Sequence, residues 1–415
     1  MSSVITPSHL SGTVKIPPSK SMAHRAIICA SLASGVCRIS NVQFSADVLA
    51  TIGAMRALGA TIEIEGDCLT IYPVDTSKIQ GDEVVIDCNE SGSTLRFLTM
   101  IALALTDKKV RFVGRGKLGS RPMQAFYDIF EGQGIFYRDD SALTEERLLD
   151  LHVQGRLKSG EFYLSGDVSS QFVSGLLFAT SLLEGDSVIN ITTPMQSVGY
   201  VDLTIKAMRD FGVEVINDEY RKLIVKGGRR YNARDYEVEG DYSQSAFFAV
   251  ANLIGNSVNI EGLDPDSLQG DKVVFDLCEL LKNAKEEEII TIDGKDCPDI
   301  IPVLAVGCAL RKGKTEIVNL ERLKIKECDR LSATYEVLST LGAKVSKTED
   351  SLTFEGVDSF SGGSVSTYGD HRMAMSIAIA STRARGEITI DDRRCVAKSY
   401  PNFWEVFGAL GGKIR

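Results

Sequence analysis

Apolar positions along the chain follow a helical period in six stretches, 21–33, 94–105, 169–183, 243–253, 300–310 and 371–382, all rich in Ala, Leu and Phe. Six further helical patterns end at a Gly or small residue and are usually followed by an alternating, strand-like run: 54–62, 127–134, 207–215, 277–284, 336–345 and 406–414. Each of these joins a helix to a strand through a residue that tolerates the left-handed C-cap conformation. The copies lie roughly 55 to 80 residues apart, too far for a solenoid of helical pairs. They fit a block of strand, helix, strand, helix, strand and strand, used six times in an α/β protein. The first strand is expected over 12–16, ending at Pro17-Pro18, a place for the chain to cross between domains. No polar linker divides the chain, and the boundary is expected near 229–234, ahead of the strand-like Tyr236-Glu237-Val238-Glu239.

At 415 residues the chain is too long for one core and should form two or three domains. With 44% apolar and 25% charged residues it has a globular composition. The formal charge of −10 argues against general affinity for nucleic acid or an anionic membrane, while 46 Lys and Arg leave room for a local cationic pocket. The nine cysteines are scattered, odd in number and form no CxxC pair, which predicts a reducing cytosol rather than a disulfide framework or zinc site. No signal-peptide pattern opens the chain, and the apolar runs fall short of a membrane span. Charge and size point to a soluble monomer.

Several helix starts carry anion-binding chemistry. Pro18-Ser19-Lys20-Ser21-Met22-Ala23-His24-Arg25 places Lys20, Ser21 and Arg25 within the first turns of a helix, where backbone N–H groups and the dipole already favour an anion. An ordinary N-cap with solvated basic residues fits the same segment. Asn89-Glu90-Ser91-Gly92-Ser93-Thr94-Leu95-Arg96 opens another helix with Gly92 permitting close backbone approach. The basic, glycine-rich loop 114–123 contains Lys117 and Arg121, and reads either as a mobile phosphate clamp or as a solvated hairpin tip. Gly166-Asp167-Val168-Ser169-Ser170-Gln171-Phe172 repeats the design, though a capping box reads similarly. Convergence on one small polyanion explains why these starts share Ser, Thr, Gln, Lys and Arg.

In the second half, Lys324-Ile325-Lys326-Glu327-Cys328-Asp329-Arg330 crowds ionisable groups together. On a helix Glu327 and Arg330 would form a routine i, i+3 pair, whereas in a cleft they become a tunable carboxylate beside phosphate-binding cations. Tyr368-Gly369-Asp370-His371-Arg372-Met373-Ala374-Met375 and Ala397-Lys398 add further charge at helix starts. The segment 307–315 imitates a P-loop but has five residues between its glycines and runs from helix to strand, which excludes a nucleoside triphosphatase. The HExxH pattern of zinc proteolysis and the GxSxG pattern of serine hydrolysis are missing from the sequence.

Taken in order, Pro18-Ser19-Lys20-Ser21 with Arg25, Ser91-Gly92-Ser93-Thr94 with Arg96, Arg121-Pro122, Ser169-Ser170-Gln171-Phe172, Lys326 to Arg330, Asp370 to Met375 and Ala397-Lys398 resemble the 5-enolpyruvylshikimate-3-phosphate synthases, an enolpyruvyl transferase family, over about 380 residues. The resemblance implies an inside-out α/β barrel fold of two domains, each of three βαβαββ repeats. Residues 1–18 and 236–415 are expected in one domain and 19–235 in the other, with the active site in the cleft between them. It implies that shikimate 3-phosphate is held by Lys20, Ser21, Arg25, Ser169, Ser170, Gln171, Ser197, Asp299 and Lys326, and phosphoenolpyruvate by Lys20, Gly92, Arg121, Gln171, Arg330, Arg372 and Lys398. Lys20, Asp299 and Glu327 match the catalytic groups.

The implied reaction belongs to the shikimate pathway, toward chorismate and the aromatic amino acids. The 5-hydroxyl adds to C2 of the enol while C3 takes a proton, and loss of phosphate with a C3 proton restores the enol ether. Asp299 serves as base at the hydroxyl, with Glu327 or Lys20 exchanging the proton at C3. No metal or organic cofactor is implied. Glu90, Phe97 and Arg322 depart from the family pattern. The space at Gly92 implies sensitivity to the inhibitor glyphosate. The sister enzyme acting on UDP-N-acetylglucosamine carries a reactive cysteine in the loop matching 111–122, which here has none. A non-catalytic anion-binding protein on the same fold would have been marked by loss of Lys20, Asp299 or Glu327, and all three are present.

Overall fold

The computed structural model describes residues 2–144 and 146–415. Contacts divide them into unit 1, which runs to Pro17 and from Gly240 to Arg415, and unit 2, Pro18–Glu239. The chain opens in unit 1 with β1 (Ser3–Thr6) and β2 (Ser11–Lys15). Unit 2 then runs α1 (Lys20–Ser31), β3 (Cys37–Ser40), α2 (Ala46–Ala57), β4 (Thr61–Glu65), β5 (Cys68–Tyr72), β6 (Glu83–Asp87), α3 (Gly92–Leu105), β7 (Lys109–Gly114), α4 (Gln124–Gln133), β8 (Phe136–Asp139) and β9 (Leu149–Gln154). It ends with β10 (Glu161–Leu164), α5 (Ser170–Thr180), β11 (Ser187–Ile191), α6 (Val198–Asp210), β12 (Val215–Asp218), β13 (Lys222–Val225) and β14 (Tyr236–Glu237). Unit 1 resumes with α7 (Tyr242–Leu253), β15 (Ser257–Glu261), α8 (Val274–Asn283), β16 (Ile290–Asp293), α9 (Ile301–Leu310), β17 (Lys314–Val318), α10 (Arg330–Thr340), β18 (Lys344–Lys347) and β19 (Leu352–Glu355). It closes with β20 (Gly363–Val365), α11 (His371–Ser381), β21 (Ile388–Ile390), α12 (Phe403–Ala409) and β22 (Lys413–Ile414).

Among the described residues five four-stranded sheets repeat one order, in which the last strand of the block lies between the second and the third: β6-β7-β9-β8, β10-β11-β13-β12, β16-β17-β19-β18, β14-β3-β5-β4 and β20-β21-β1-β22. In each order the first two strands are parallel and the last two antiparallel, as in β6 with β7 and β8 with β9. Two sheets borrow a strand from far along the chain. β1 completes the last block of unit 1, and β14 supplies the first strand of the opening block of unit 2. This is why β1 was not anticipated, and why residues 236–239 stay with unit 2 rather than starting the other domain: their pairing partner is β3. Pro18 likewise falls in unit 2.

The block containing α8 differs. Its sheet has two strands, β15 and β2. At the five other helix ends the chain turns through Gly59, Gly134, Gly212, Gly342 and Gly411, all with φ between 69° and 101°. The expected sixth turn, Ala284, is extended at φ −68°, ψ 139°, so the chain is not turned back into a hairpin and runs on toward β16.

Helices fill the interior. Every residue of α11 is buried, and in α3 only Ser93, Ala104 and Leu105 are not. A helix apolar on all sides has to be enclosed, and the sheets enclose these. Each unit has its own apolar cluster. In unit 2, α5 lies against α3 because Gly175 carries no Cβ; one would sit 2.2 Å from the Arg96 carbonyl oxygen. That close approach sets Gln171 beside Arg96.

Candidate active site

In unit 2, three core helices start on serine. Ser19 Oγ accepts from Met22 N, Ser91 Oγ from Thr94 N and Ser169 Oγ from Gln171 N, at the heads of α1, α3 and α5. Neutral caps leave the positive helix ends uncompensated, so an anion is favoured there. Around α3 and α5 the structure gathers Gly92, Arg121 and Gln171. A Cβ at Gly92 would lie 2.7 Å from Arg121 Nη1 and 3.4 Å from Gln171 Oε1. Arg96, missing from the expected binding set, joins them: its Nη1 donates to Gln171 Oε1 at 2.8 Å and to Ser169 Oγ at 3.5 Å, and its guanidinium stacks 4.7 Å from the Phe172 ring centroid. Gln171 Nε2 in turn donates to Ser93 Oγ at 3.0 Å. Ser170 opens α5 and is buried. Loop 114–123 is no hairpin tip; it connects β7 to α4 through a short 3₁₀ turn, Leu118–Ser120. Lys117 on it is exposed and Arg121 half-buried.

Lys20 Nζ reaches Asp47 Oδ2 at 3.0 Å. Asp47 had no signal in the sequence, because its partner lies on a different helix. Arg25 is 3% exposed and braces α1 against α6: Nε donates to Thr204 Oγ1 at 2.9 Å and Nη2 to the Tyr200 carbonyl at 2.7 Å, while Nη1 returns to the Ser21 carbonyl at 2.7 Å. Burial lowers its pKa to about 10. Ser197, at the start of α6, adopts a left-handed φ of 54° and accepts from Tyr200 N. Phe97 fills the space under Arg25, at 5.3 Å, and meets Phe178 edge-on. Glu90 lies against Gly116 of the basic loop.

Unit 1 uses acid where unit 2 uses serine. Asp241 caps α7 and Asp370 caps α11, while Asp299 stands just ahead of α9. Arg330, 1% exposed, is the hub. Its Nε donates to Asp370 Oδ2 at 2.7 Å, Nη1 to Asp299 Oδ1 at 2.9 Å and Nη2 to Glu327 Oε2 at 2.7 Å. Arg372 Nη2 holds Asp299 Oδ2 at 3.1 Å, Lys326 Nζ holds Asp299 Oδ1 at 3.3 Å, and Lys398 Nζ lies 3.9 Å from Glu327 Oε1. All six expected residues of this half, Asp299, Lys326, Glu327, Arg330, Arg372 and Lys398, therefore meet in one network. The Glu327–Arg330 pair forms without a helix beneath Glu327, since α10 begins only at Arg330, capped by Asp329. Asp370, quoted in its motif yet given no role, is the completely buried anchor of Arg330.

Burial alone would raise the Asp299 carboxyl; Arg372, Lys326 and Arg330 outweigh it and hold it well below the usual carboxylate range. Burial lowers the Lys326 ammonium. Asp271, buried and bonded by Ser243 Oγ, is raised to about 6, first by burial and then by the Asp299 charge. In unit 2, ligand-type atoms of Asp140, Asp150 and His152 lie within 4.8 Å of one another. Arg111 already spans both oxygens of Asp150 and Arg138 pairs with Asp140, so guanidinium groups compensate those carboxylates.

Residues 4–407 match the family model for EPSP synthase (3-phosphoshikimate 1-carboxyvinyltransferase). The 3-phosphoshikimate 1-carboxyvinyltransferase of Clostridium perfringens strain SM101 is 51% identical, with 99% of each chain covered. That of Clostridioides difficile strain 630 is 50% identical, covering 99% of this chain and 97% of its own. Among solved structures, an EPSP synthase from Acinetobacter baumannii aligns with a TM-score of 0.80 at 24% identity, covering 100% of this chain and 99% of that one, a likeness of fold.

Proposed function

The chain belongs to the EPSP synthase family, and from that premise we propose that it transfers the enolpyruvyl group of phosphoenolpyruvate to the 5-hydroxyl of shikimate 3-phosphate, releasing phosphate. The observation that carries the reading is the Arg330 network, where four cations surround Asp299 and Glu327. Two carboxylates among cations suit a reaction that moves protons while a phosphate departs.

Residues of both units act on the substrates in this reading. Ser21, Arg25, Ser169, Ser170, Gln171, Ser197 and Lys326 hold shikimate 3-phosphate, with Asp299 as base at its hydroxyl. Lys20, Gly92, Arg121, Arg330, Arg372 and Lys398 hold phosphoenolpyruvate. Glu327, or Lys20 in its place, exchanges the proton at C3. Arg372, Lys326 and Arg330 depress the Asp299 carboxyl, so substrate anions that draw charge from these cations would make Asp299 more basic. The nine free cysteines support a cytoplasmic setting, and no described helix is long and apolar enough to cross a membrane.

Phosphate release, followed by a coupled assay, tests this directly. Release is expected only with phosphoenolpyruvate and shikimate 3-phosphate together. Release with UDP-N-acetylglucosamine in place of shikimate 3-phosphate, or none with the proper pair, rejects the reading.

A further inference from the structure

Helices α1 and α2 of unit 2 meet along a ladder of two rungs. Lys20 and His24 stand one turn apart on α1, and Asp47 and Thr51 one turn apart on α2. The outer rung is ionic, Lys20 Nζ to Asp47 Oδ2 at 3.0 Å; the inner is neutral, His24 Nδ1 to Thr51 Oγ1 at 2.7 Å. From there the bonds continue to a third helix. Thr51 Oγ1 lies 2.7 Å from Thr94 Oγ1, and Thr94 Oγ1 donates to Ser91 Oγ at 2.8 Å. Ser91 is the cap of α3, the helix that begins with Gly92. All four side chains are 1% exposed or less.

Counting protons fixes the direction of this relay. A threonine hydroxyl has one hydrogen to give. Thr94 gives its hydrogen to Ser91, so Thr51 has to donate to Thr94. Thr51 then has none left for His24, and Nδ1 has to be the donor. We infer that His24 carries its proton on Nδ1 and acts as a positioning residue, starting a one-way relay that locks the helix end bearing Lys20 to the helix end bearing Gly92. Since Lys20 and Gly92 belong to the phosphoenolpyruvate site in the reading above, the inference about catalysis rests on that reading.

Two observations agree. Burial, aided by Lys20 and Arg25 and opposed by Asp47, lowers His24 to about 3, so the ring is neutral and has a single N–H. The other nitrogen, Nε2, has no hydrogen-bond partner among the described residues. A proton there would be a buried donor with no acceptor, which costs about 1–3 kcal/mol.

The test has two arms. Long-range ¹⁵N–¹H spectra of protein labelled at its four histidines read the tautomer without substrate. The His24 signal is assigned by its loss in His24→Asn or, if that variant does not fold, by elimination with His9→Asn, His152→Asn and His371→Asn. The Nδ1–H pattern, unchanged from pH 5 to 8, is expected, and an Nε2–H pattern overturns the inference. In the second arm, the amide nitrogen of Asn can replace Nδ1 and that of Gln can replace Nε2. His24→Asn should keep the phosphoenolpyruvate KM within about threefold, while His24→Gln raises it about tenfold and leaves the shikimate 3-phosphate KM nearer its original value. Equal constants in the two folded variants overturn the positioning role. Absence of turnover in the unmodified enzyme would reject the proposed function instead, leaving the spectrum to decide the relay.

Discussion

The two units solve the problem of holding anions in opposite ways. Unit 2 caps α1, α3 and α5 with serine, and so leaves helix-end charge available to a ligand. Unit 1 caps α7 and α11 with aspartate and sets Asp299 ahead of α9, so its cations are already balanced by its own carboxylates. The difference teaches that a serine-capped half can bind an anion with little rearrangement. In the proposed reaction the acid-rich half has to exchange partners, and that exchange would make its carboxylates more basic.

The contrast can be broken by removing caps. Asp370→Ala strips Arg330 of a buried partner and should cost about 3 kcal/mol in denaturant unfolding, with turnover falling alongside. Ser91→Ala in the other half, which removes a neutral cap and the acceptor of the Thr94 hydroxyl, should cost about 2 kcal/mol. Equal losses would mean that the aspartate cap is no more than a cap.

It can also be broken by exchanging the chemistry. Ser169→Asp places a full negative charge where the proposal seats a phosphate, and should raise the shikimate 3-phosphate KM about tenfold or more while leaving the melting temperature unchanged or higher. An unchanged KM would remove α5 from the binding site.

A smaller effect separates the acids of unit 1 by pH. The Asp271 carboxyl holds its proton to about 6 when folded, against 3.8 as its ordinary value. The native state therefore binds more protons in that window, and stability falls as pH rises through it. Asp299 has the opposite sign: its contribution is present above the ordinary carboxylate value and is lost on acidification. Asp271→Asn should flatten the loss of stability between pH 4 and 6 by about 2 kcal/mol, read from unfolding curves across that range. An unchanged slope would show that Asp271 titrates normally.

Helices were the most legible part of the sequence, because each repeats an apolar period over ten or more residues. The six core segments appear at α1, α3, α5, α7, α9 and α11 within a residue or three of their expected ends. Strands borrowed over long distances were hidden. β1 is four residues long and its partners β21 and β22 lie at the far end of the chain. The motifs pointed to Gly92, Arg121 and Gln171, and to the Arg330 cluster, because each motif is local. Asp47 and Asp271 escaped notice because only tertiary packing brings them to Lys20 and toward Asp299. Arg96 and Asp370 stood inside quoted motifs, yet nothing local distinguishes an arginine that holds Gln171 from one that holds a ligand.

The division of labour is tested most directly in Glu327→Gln, by measuring phosphate release at saturating substrates together with shikimate 3-phosphate affinity on the same preparation. Turnover should fall about 10²–10⁴-fold while the affinity stays within about threefold. Turnover that survives in the folded variant, or a loss confined to affinity, would contradict the assignment of proton transfer to unit 1.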